Sequence, residues 1–342
     1  GKVESKNVEM VNWNDITDDY DYSKAFQLLC YALMYNDKNS IDTLQSGIIS
    51  FKNLNAGLLK FATKDKKGSW AKKDHDITPG LAVVLVGEDP ASQIYVSNKK
   101  KTSQAIGMNS VEIRLPENIS EKELVAKIHE LNNDSKIHGI LVQLPLPKHI
   151  ETNKIIYTIS PEKDVDGFHI INTGKLAIGE VTGKHKATIP CTPLGCLHLI
   201  KETVGDDLRG KKALVIGTSN IVGKPLARLL VTEKCTVTVA NSHTKDLKSE
   251  CLNAEIIISA TGVAGLIKED MVAKNSIIID VGINRIKDEN GKSKLVGDVD
   301  FKGVSKKASA VTPVPGGVGP MTIAFLLKNT LDCCKKSLIK TN

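Results

Sequence analysis

Aromatic residues make up only 4% of the 342 residues, too few to build the stacking platform on which single-stranded nucleic acid is held. Long apolar runs are missing as well. No uninterrupted stretch approaches the roughly 18 residues of a membrane-spanning helix, so no membrane partner is expected. The N-terminus lacks the basic-then-apolar order of a secretory signal. Cysteines number 7, an odd count without a C-x-x-C pair. The adjacent Cys333 and Cys334 cannot bridge each other in ordinary geometry. The pattern reads as reduced thiols, and no metal site is expected. A cytoplasmic location follows. The chain opens on Gly1 rather than Met, so an organellar matrix reached after loss of a transit segment is the alternative.

What is present suits a soluble globular protein, with 41% hydrophobic and 25% charged residues. The formal charge of +7 comes mainly from scattered lysines, with Lys99-Lys100-Lys101 and Lys72-Lys73 among the few clusters. No nucleic-acid partner is expected, and a modest positive balance suits small polyanions. The length is that of two domains.

From Pro79 onward, short apolar runs alternate with amphipathic stretches: Leu81–Val86, Ser92–Ile106, Val111–Leu115, Glu121–Leu131 and Ile140–Leu144. Such alternation predicts an α/β unit with a parallel sheet. A second unit runs through a strand at Ala213–Ile216, a helix from Pro225, and strands at Thr236–Ala240, Glu255–Ser259 and Ser276–Val281. Between them, Gly174–Thr192 reads as a connection and Pro193–Val204 as a helix. The Thr312–Pro320 stretch is too crowded with Pro and Gly for helix or strand, and Met321–Cys334 is a helix long enough to cross back onto the first unit. The expected organisation is an N-terminal extension over 1–40 containing a helix at Lys24–Tyr35, and a catalytic domain over 41–189 completed by 318–342. A dinucleotide-binding domain occupies 190–317. Residues 64–76 read as a solvated loop. A cleft between two such domains is where a ligand is expected.

The Val215–Pro225 segment follows a strand and opens a helix, the place where a Gly-rich turn presents backbone N–H groups to a pyrophosphate. Only Gly217 and Gly223 are present, not the full G-x-G-x-x-G, so a tight turn that binds nothing is the plain alternative. The next strand ends Val239–Lys245 with no carboxylate to hold a ribose 2′-hydroxyl. Ser242, His243 and Lys245 could receive a 2′-phosphate, which favours NADP, with NAD the alternative. Tyr95 and Lys99 stand four apart in a predicted helix and therefore share a face. Gln143 sits at a strand end closed by Pro145 and Pro147, and Asp164 and Asp166 precede Gly167 in a short turn. Packing, a solvated charge and an ordinary Asp-Gly turn are the plain alternatives for these positions.

Taken together, Pro90–Lys99, Gly139–Pro147, Pro161–Gly167, Ile189–Pro193, the Gly217 loop, Asp280–Asn284, Val296–Val299 and Val311–Thr322 resemble the bifunctional methylenetetrahydrofolate dehydrogenase/methenyltetrahydrofolate cyclohydrolase family. The resemblance covers residues 79 to 335 in the family's order. It implies two α/β domains, the second of Rossmann type, with a C-terminal helix returning to the first. It further implies oxidation of 5,10-methylenetetrahydrofolate and hydrolysis of the methenyl product to 10-formyltetrahydrofolate, within the one-carbon metabolism that serves purine biosynthesis. Lys99, Gln143 and Tyr95 become the catalytic set, with Lys99 moving protons, Gln143 orienting it and Tyr95 packing on the folate. Asp166 anchors the pterin, and Pro313, Gly316 and Gly317 shape the junction of folate and cofactor. Gly217, Thr218, Ser219, Ile221, Val222, Ser242, His243 and Ile283 are the implied cofactor contacts. Thr218 stands where several members carry an Arg, a departure that weighs against NADP. A homodimer through the nucleotide-binding domain is also implied. The competing expectations are an NAD-preferring or mainly dehydrogenase member and a catalytically silent folate-binding homologue.

Overall fold

The computed structural model describes residues 77–340 apart from 184, 288–290 and 292, together with two short strands that pair Thr63–Lys64 with Trp70–Ala71. The extension over 1–40, its helix at Lys24–Tyr35 and most of the loop at 64–76 lie outside the described residues. Within that loop Lys64 and Trp70–Ala71 are paired as strand rather than open loop.

The first unit runs β1 (Gly80–Val86), α1 (Pro90–Ala105), β2 (Asn109–Leu115), α2 (Glu121–Asn133), β3 (Gly139–Val142), α3 (Thr152–Thr158) and α4 (Ile170–Ala177). Its sheet has the order β2-β1-β3, all parallel. β1 reads GLAVVLV and is buried at every position, because a central strand covered on both faces needs no polar alternation. α1 starts where Asp89 accepts the amide of Ser92 at 2.7 Å and Pro90 takes the first helical position. α2 starts on a capping box between Ser120 and Glu123.

The second unit follows α5 (Cys191–Val204) and runs β4 (Lys212–Ile216), α6 (Gly223–Thr232), β5 (Thr236–Ala240), α7 (Leu247–Leu252), β6 (Ile256–Ser259), β7 (Ile277–Asp280), a hairpin of β8 (Asn284–Lys287) and β9 (Ser293–Val296), α8 (Phe301–Val304) and β10 (Ala310–Val311). The five-stranded sheet is ordered β10-β7-β6-β4-β5 and is parallel throughout. The order reverses beside β4, which opens a crevice at the carboxyl ends of the strands.

α9 (Val318–Lys340) closes the chain. Its residues Met321, Phe325, Leu326 and Leu327 pack in one buried cluster with Leu81, Val83 and Leu141 of the first sheet. Each fully buried Leu or Ile of this kind contributes about 1.5–3 kcal/mol. The helix also lies along α5 so closely that a Cβ on Gly195 would come within 2.9 Å of the Met321 Cβ.

Three expectations are corrected. The Gly174–Thr192 connection begins inside a helix, because α4 extends over Gly174 to Ala177, capped by His169 Nδ1 accepting the amide of Ile171 at 3.0 Å. The same connection ends inside α5, which starts at Cys191 rather than Pro193. α9 starts at Val318 and so takes in Gly319 and Pro320. Pro320 is tolerated there because the first turn of a helix has no partner for its N–H groups.

Candidate functional site

The carboxyl edge of the first sheet and the adjacent face of α1 bring several polar side chains together. Lys99 Nζ donates to Gln143 Oε1 at 3.0 Å. Gln143 Nε2 donates to the carbonyl of Leu144 at 2.8 Å, so the amide oxygen is the end turned to the lysine. The backbone N–H of Gln143 still bonds to the carbonyl of Val84 in β1, at 2.8 Å, which ties its backbone to a central strand buried at every position. The Leu144–Pro145 peptide that follows is cis. One residue along α1 the helix has turned by about 100°, and Lys100 pairs with Glu112 on β2 at 3.0 Å instead. The three-lysine run is thus split by geometry, and Lys101 is exposed. Tyr95 lies one turn before Lys99 with 39% of its surface exposed, and burial of the rest raises its phenol pKa.

The Asp164–Gly167 turn uses its two carboxylates differently. Asp164 is buried, and its oxygens accept the amides of Gly167 and His169 and the Asn172 side chain, each at 2.9 Å. Burial raises its pKa and those hydrogen bonds pull against that rise. Asp166 has no side-chain hydrogen bond among the described residues and is half-buried. Desolvation pushes its carboxyl up to about 6, opposed by the positive charge of Lys99 and reinforced by Asp164. α9 holds this turn from behind, where Asn329 Nδ2 donates to the carbonyls of Val165 at 2.9 Å and Ile189 at 3.0 Å. Cys191 donates to Val165 at 3.3 Å. Its thiol is raised well above the usual range, first by burial and then by Asp166. It is a neutral packing group.

At the end of β4 the chain makes the expected strand-to-helix turn. Gly217 has φ +113°, and a Cβ there would lie 2.3 Å from the carbonyl oxygen of Ala260; one on Gly223 would lie 1.9 Å from that of Gly217. Two bare glycines therefore let three backbone segments converge at a strand-to-helix turn, the setting in which backbone N–H groups can face a pyrophosphate. Ser219 Oγ accepts the amides of Val222 at 3.2 Å and Gly223 at 3.4 Å, while Thr218 and Ser219 are exposed. Ile221 and Ile283 are exposed apolar side chains, at 44% and 49%, on the same carboxyl side of the sheet. Ser242 and His243 are also exposed, on a turn in which the His243 amide donates to Asn241 Oδ1 at 2.9 Å. Beyond β10, Gly317 donates to the carbonyl of Pro313 at 2.9 Å, and Gly316 has φ +108°. The residues present fit a dinucleotide. Among the described residues no group of three or more His, Cys, Asp or Glu side chains is placed to hold a metal, and no helix is long and apolar enough to cross a membrane.

Two family models divide the chain at the same place as the two sheets. The tetrahydrofolate dehydrogenase/cyclohydrolase catalytic domain matches residues 53–166, and the NAD(P)-binding domain of the same family matches residues 190–338. The chain belongs to the tetrahydrofolate dehydrogenase/cyclohydrolase family. It is 50% identical over 294 residues to the bifunctional protein FolD of Zymomonas mobilis, covering 84% of this chain and 96% of that one. It is 55% identical over 275 residues to the FolD of Wolbachia pipientis, covering 80% and 91%. Among solved structures, the bifunctional FolD of Campylobacter jejuni superposes with a TM-score of 0.72 at 50% identity, over 76% of this chain and 89% of that one. The Trypanosoma brucei enzyme, solved with NADP cofactor and inhibitor, gives a TM-score of 0.73 at 33% identity over 93% and 96%.

In this dehydrogenase/cyclohydrolase Asn172 and Asn329, which no sequence motif singles out, hold the site's loops: with Asp164 they build the turn that carries Asp166. Asn329 offered a signal, since it is a polar residue on the helix stripe shared by Leu326 and Cys333, both buried. Asp280 and Asp298 sit inside two quoted motifs but carry no charge partner that spacing could reveal.

Proposed function

We propose that this chain oxidises 5,10-methylenetetrahydrofolate with NADP and hydrolyses the methenyl product in one cleft, with Lys99, Gln143, Tyr95 and Asp166 carrying the folate chemistry. The observation that carries the reading is the 3.0 Å hydrogen bond that fixes Lys99 Nζ on Gln143 Oε1, at the strand edge where a ligand is expected in an α/β sheet. Asp166 is the free acceptor beside it, suited to the N–H and amino donors of a pterin. Tyr95 offers a ring one helical turn away for the folate's aromatic part. Residues 41–189 with 318–342 form the folate half of this reading, and residues 190–317 the nucleotide half.

The methylene carbon lies between two nitrogens, so a nitrogen lone pair expels the hydride as the C–H electron pair leaves. Bound beside the folate, a nicotinamide ring supplies the hydride acceptor. No side chain has to move a proton in this step, and the protein's contribution is positioning. Hydrolysis differs. Water oxygen bonds to the methenyl carbon and gives a proton to Lys99 Nζ. The C–N5 bond then breaks with its electron pair going to N5, which takes the proton back from Lys99. The new hydroxyl loses its proton to solvent as the formyl C=O forms, so the net products are 10-formyltetrahydrofolate and one proton. Gln143 keeps Nζ aimed at this carbon through both transfers.

Gly217, Thr218, Ser219, Ile221, Val222 and Ile283 would hold the dinucleotide. The preference for NADP rests on the strand end at Asn241–Lys245, which exposes Ser242 and His243 and offers no carboxylate to a ribose hydroxyl. A homodimer and a cytoplasmic or organellar-matrix location belong to the same reading, with no nucleic-acid partner. One absorbance trace with methylenetetrahydrofolate and either cofactor tests it, following reduced nicotinamide and the methenyl species together. Formation of both, with the methenyl species then consumed faster than in buffer, is expected. Absence of nicotinamide reduction with either cofactor would overturn it.

A further inference from the structure

Two buried carboxylates, Asp280 and Asp298, lie at the carboxyl end of the second sheet, 3% and 0% exposed. Among the described residues neither is within ion-pair distance of a Lys, Arg or His. Burying an unpaired carboxylate costs several kcal/mol unless hydrogen bonds satisfy it, and here the bonds go to loops. Asp298 Oδ2 accepts Ser259 Oγ at 3.1 Å, the Thr261 amide at 2.7 Å, Thr261 Oγ1 at 2.9 Å and the Gly262 amide at 3.2 Å. Its other oxygen accepts Asn284 Nδ2 at 2.9 Å. Asp280 accepts the amides of Gly282 at 3.0 Å, Asp298 at 2.9 Å and Val299 at 3.0 Å, and its own amide donates to Thr312 Oγ1 at 2.8 Å.

The two aspartates thus tie together the loops that leave β6, β7 and β10. The fit is reciprocal: a Cβ on Gly282 would lie 2.0 Å from Asp298 Oδ1, and one on Gly297 would lie 1.8 Å from Asp280 Oδ2. Each carboxylate occupies space that the other's neighbouring segment leaves bare. While Ser259 is fully buried, Gly262 and Val263 are exposed, so the bonds run from the interior to a loop that faces outward.

A dinucleotide with its pyrophosphate at Gly217 and its adenosine toward β5 would carry its nicotinamide half across the ends of β6 and β7, on the other side of the switch point. Gly217 itself packs on Ala260, the first residue of the tied loop. We propose that Asp298, supported by Asp280, is a positioning residue for hydride transfer, which fixes the 260–263 loop against the nicotinamide ring and takes no part in hydrolysis. This rests on the functional reading above.

The test separates the two reactions. Asp298→Asn places an amide N–H against one set of donors, and Thr261→Val and Ser259→Ala each delete one bond to the carboxylate. A misplacement of about 1 Å costs on the order of 10²-fold, so Asp298→Asn is expected to lower dehydrogenase kcat by that order. The single-bond variants should lower it by roughly 2- to 10-fold. The deuterium isotope effect with methylene-deuterated substrate should rise. Hydrolysis of methenyltetrahydrofolate, assayed without cofactor, should stay within about twofold, the scale of a marginal hydrogen bond. In binding titrations, 2′,5′-ADP should keep its affinity while NADPH loses affinity or its fluorescence change. Equal loss of both activities, or an unchanged dehydrogenase in all three variants, would overturn the proposal. If Asp298→Asn fails to fold, Thr261→Val and Ser259→Ala decide it by the same split. A wild-type protein that reduces neither cofactor would overturn the functional reading itself.

Discussion

The two halves of this dehydrogenase/cyclohydrolase present different groups at the carboxyl edges of their sheets. At the edge of the first sheet the polar groups are side-chain tips, with Lys99 held by Gln143 and Asp166 free of side-chain hydrogen bonds among the described residues. At the edge of the second sheet the presented surface is backbone and exposed apolar side chains. The carboxylates there are buried and turned inward, onto amides of Thr261, Gly262, Gly282 and Val299. On the proposed function, the difference follows from the chemistry asked of each half. Moving protons needs a titratable group in reach of the carbon, whereas holding a polyanion and a flat ring needs N–H groups and a rigid wall.

The contrast can be broken in several places. The largest effect is expected from Asp166→Ala, which removes the proposed shared folate anchor. Loss of two hydrogen bonds to a charged group, roughly 3–6 kcal/mol together, corresponds to about 10²- to 10⁴-fold in kcat/KM for both reactions. Retention of either activity at wild-type level would reduce Asp166 to a turn residue. Lys99→Met should cost about 10²- to 10⁴-fold in hydrolysis, the usual scale for a lost proton-transfer group, and much less in dehydrogenation. Gly217→Ala forces a Cβ to within 2.3 Å of Ala260 oxygen at φ +113°. Strain of roughly 1–3 kcal/mol should raise the cofactor KM by about 5- to 150-fold and leave cofactor-free hydrolysis intact. Parallel loss of hydrolysis would show that the halves do not separate. A smaller difference is expected between cofactors, with kcat/KM favouring NADP by roughly 5- to 30-fold if one or two exposed bonds reach the 2′-phosphate. A higher value with NAD would contradict it.

The smallest effect is on pH. Asp166 has its pKa raised to about 6, chiefly by burial, so kcat/KM for folate should fall below about pH 6 as the free carboxylate is protonated. Stability runs the other way. A carboxyl raised on folding stabilises the fold below its unfolded pKa, and that contribution is lost as pH rises through about 6. A kcat/KM that stays flat from pH 5 to 8 would remove Asp166 from folate binding.

Alternation of apolar runs and amphipathic stretches was enough to read both sheets, because parallel strands buried on both faces leave long hydrophobic signatures such as Leu81–Val86 and Ala213–Ile216. Helix ends were harder. Gly174 and Pro320 look like breaks in the sequence, yet one sits in a short helix with nothing within 4 Å of its Cβ position and the other in the first turn of α9. The four-residue spacing of Tyr95 and Lys99 placed them on one face of α1 and no more, their proposed roles coming from the family motifs, while the Gly217 turn was legible through its strand-to-helix setting. The partner of Lys99 lies 44 residues away, beyond any local pattern. Asp298 reaches Ser259 across 39 residues, and nothing in the sequence of either shows that they meet.

The central claim is that one folate site runs two reactions and that only hydrolysis needs Lys99. It is tested most directly by the absorbance trace of Lys99→Met with methylenetetrahydrofolate and NADP, corrected for spontaneous hydrolysis in the same buffer. The account predicts that reduced cofactor and methenyltetrahydrofolate accumulate together, with enzymatic hydrolysis down by about 10²-fold or more and dehydrogenation reduced much less. Equal loss of both activities, or hydrolysis at the wild-type rate, would contradict it.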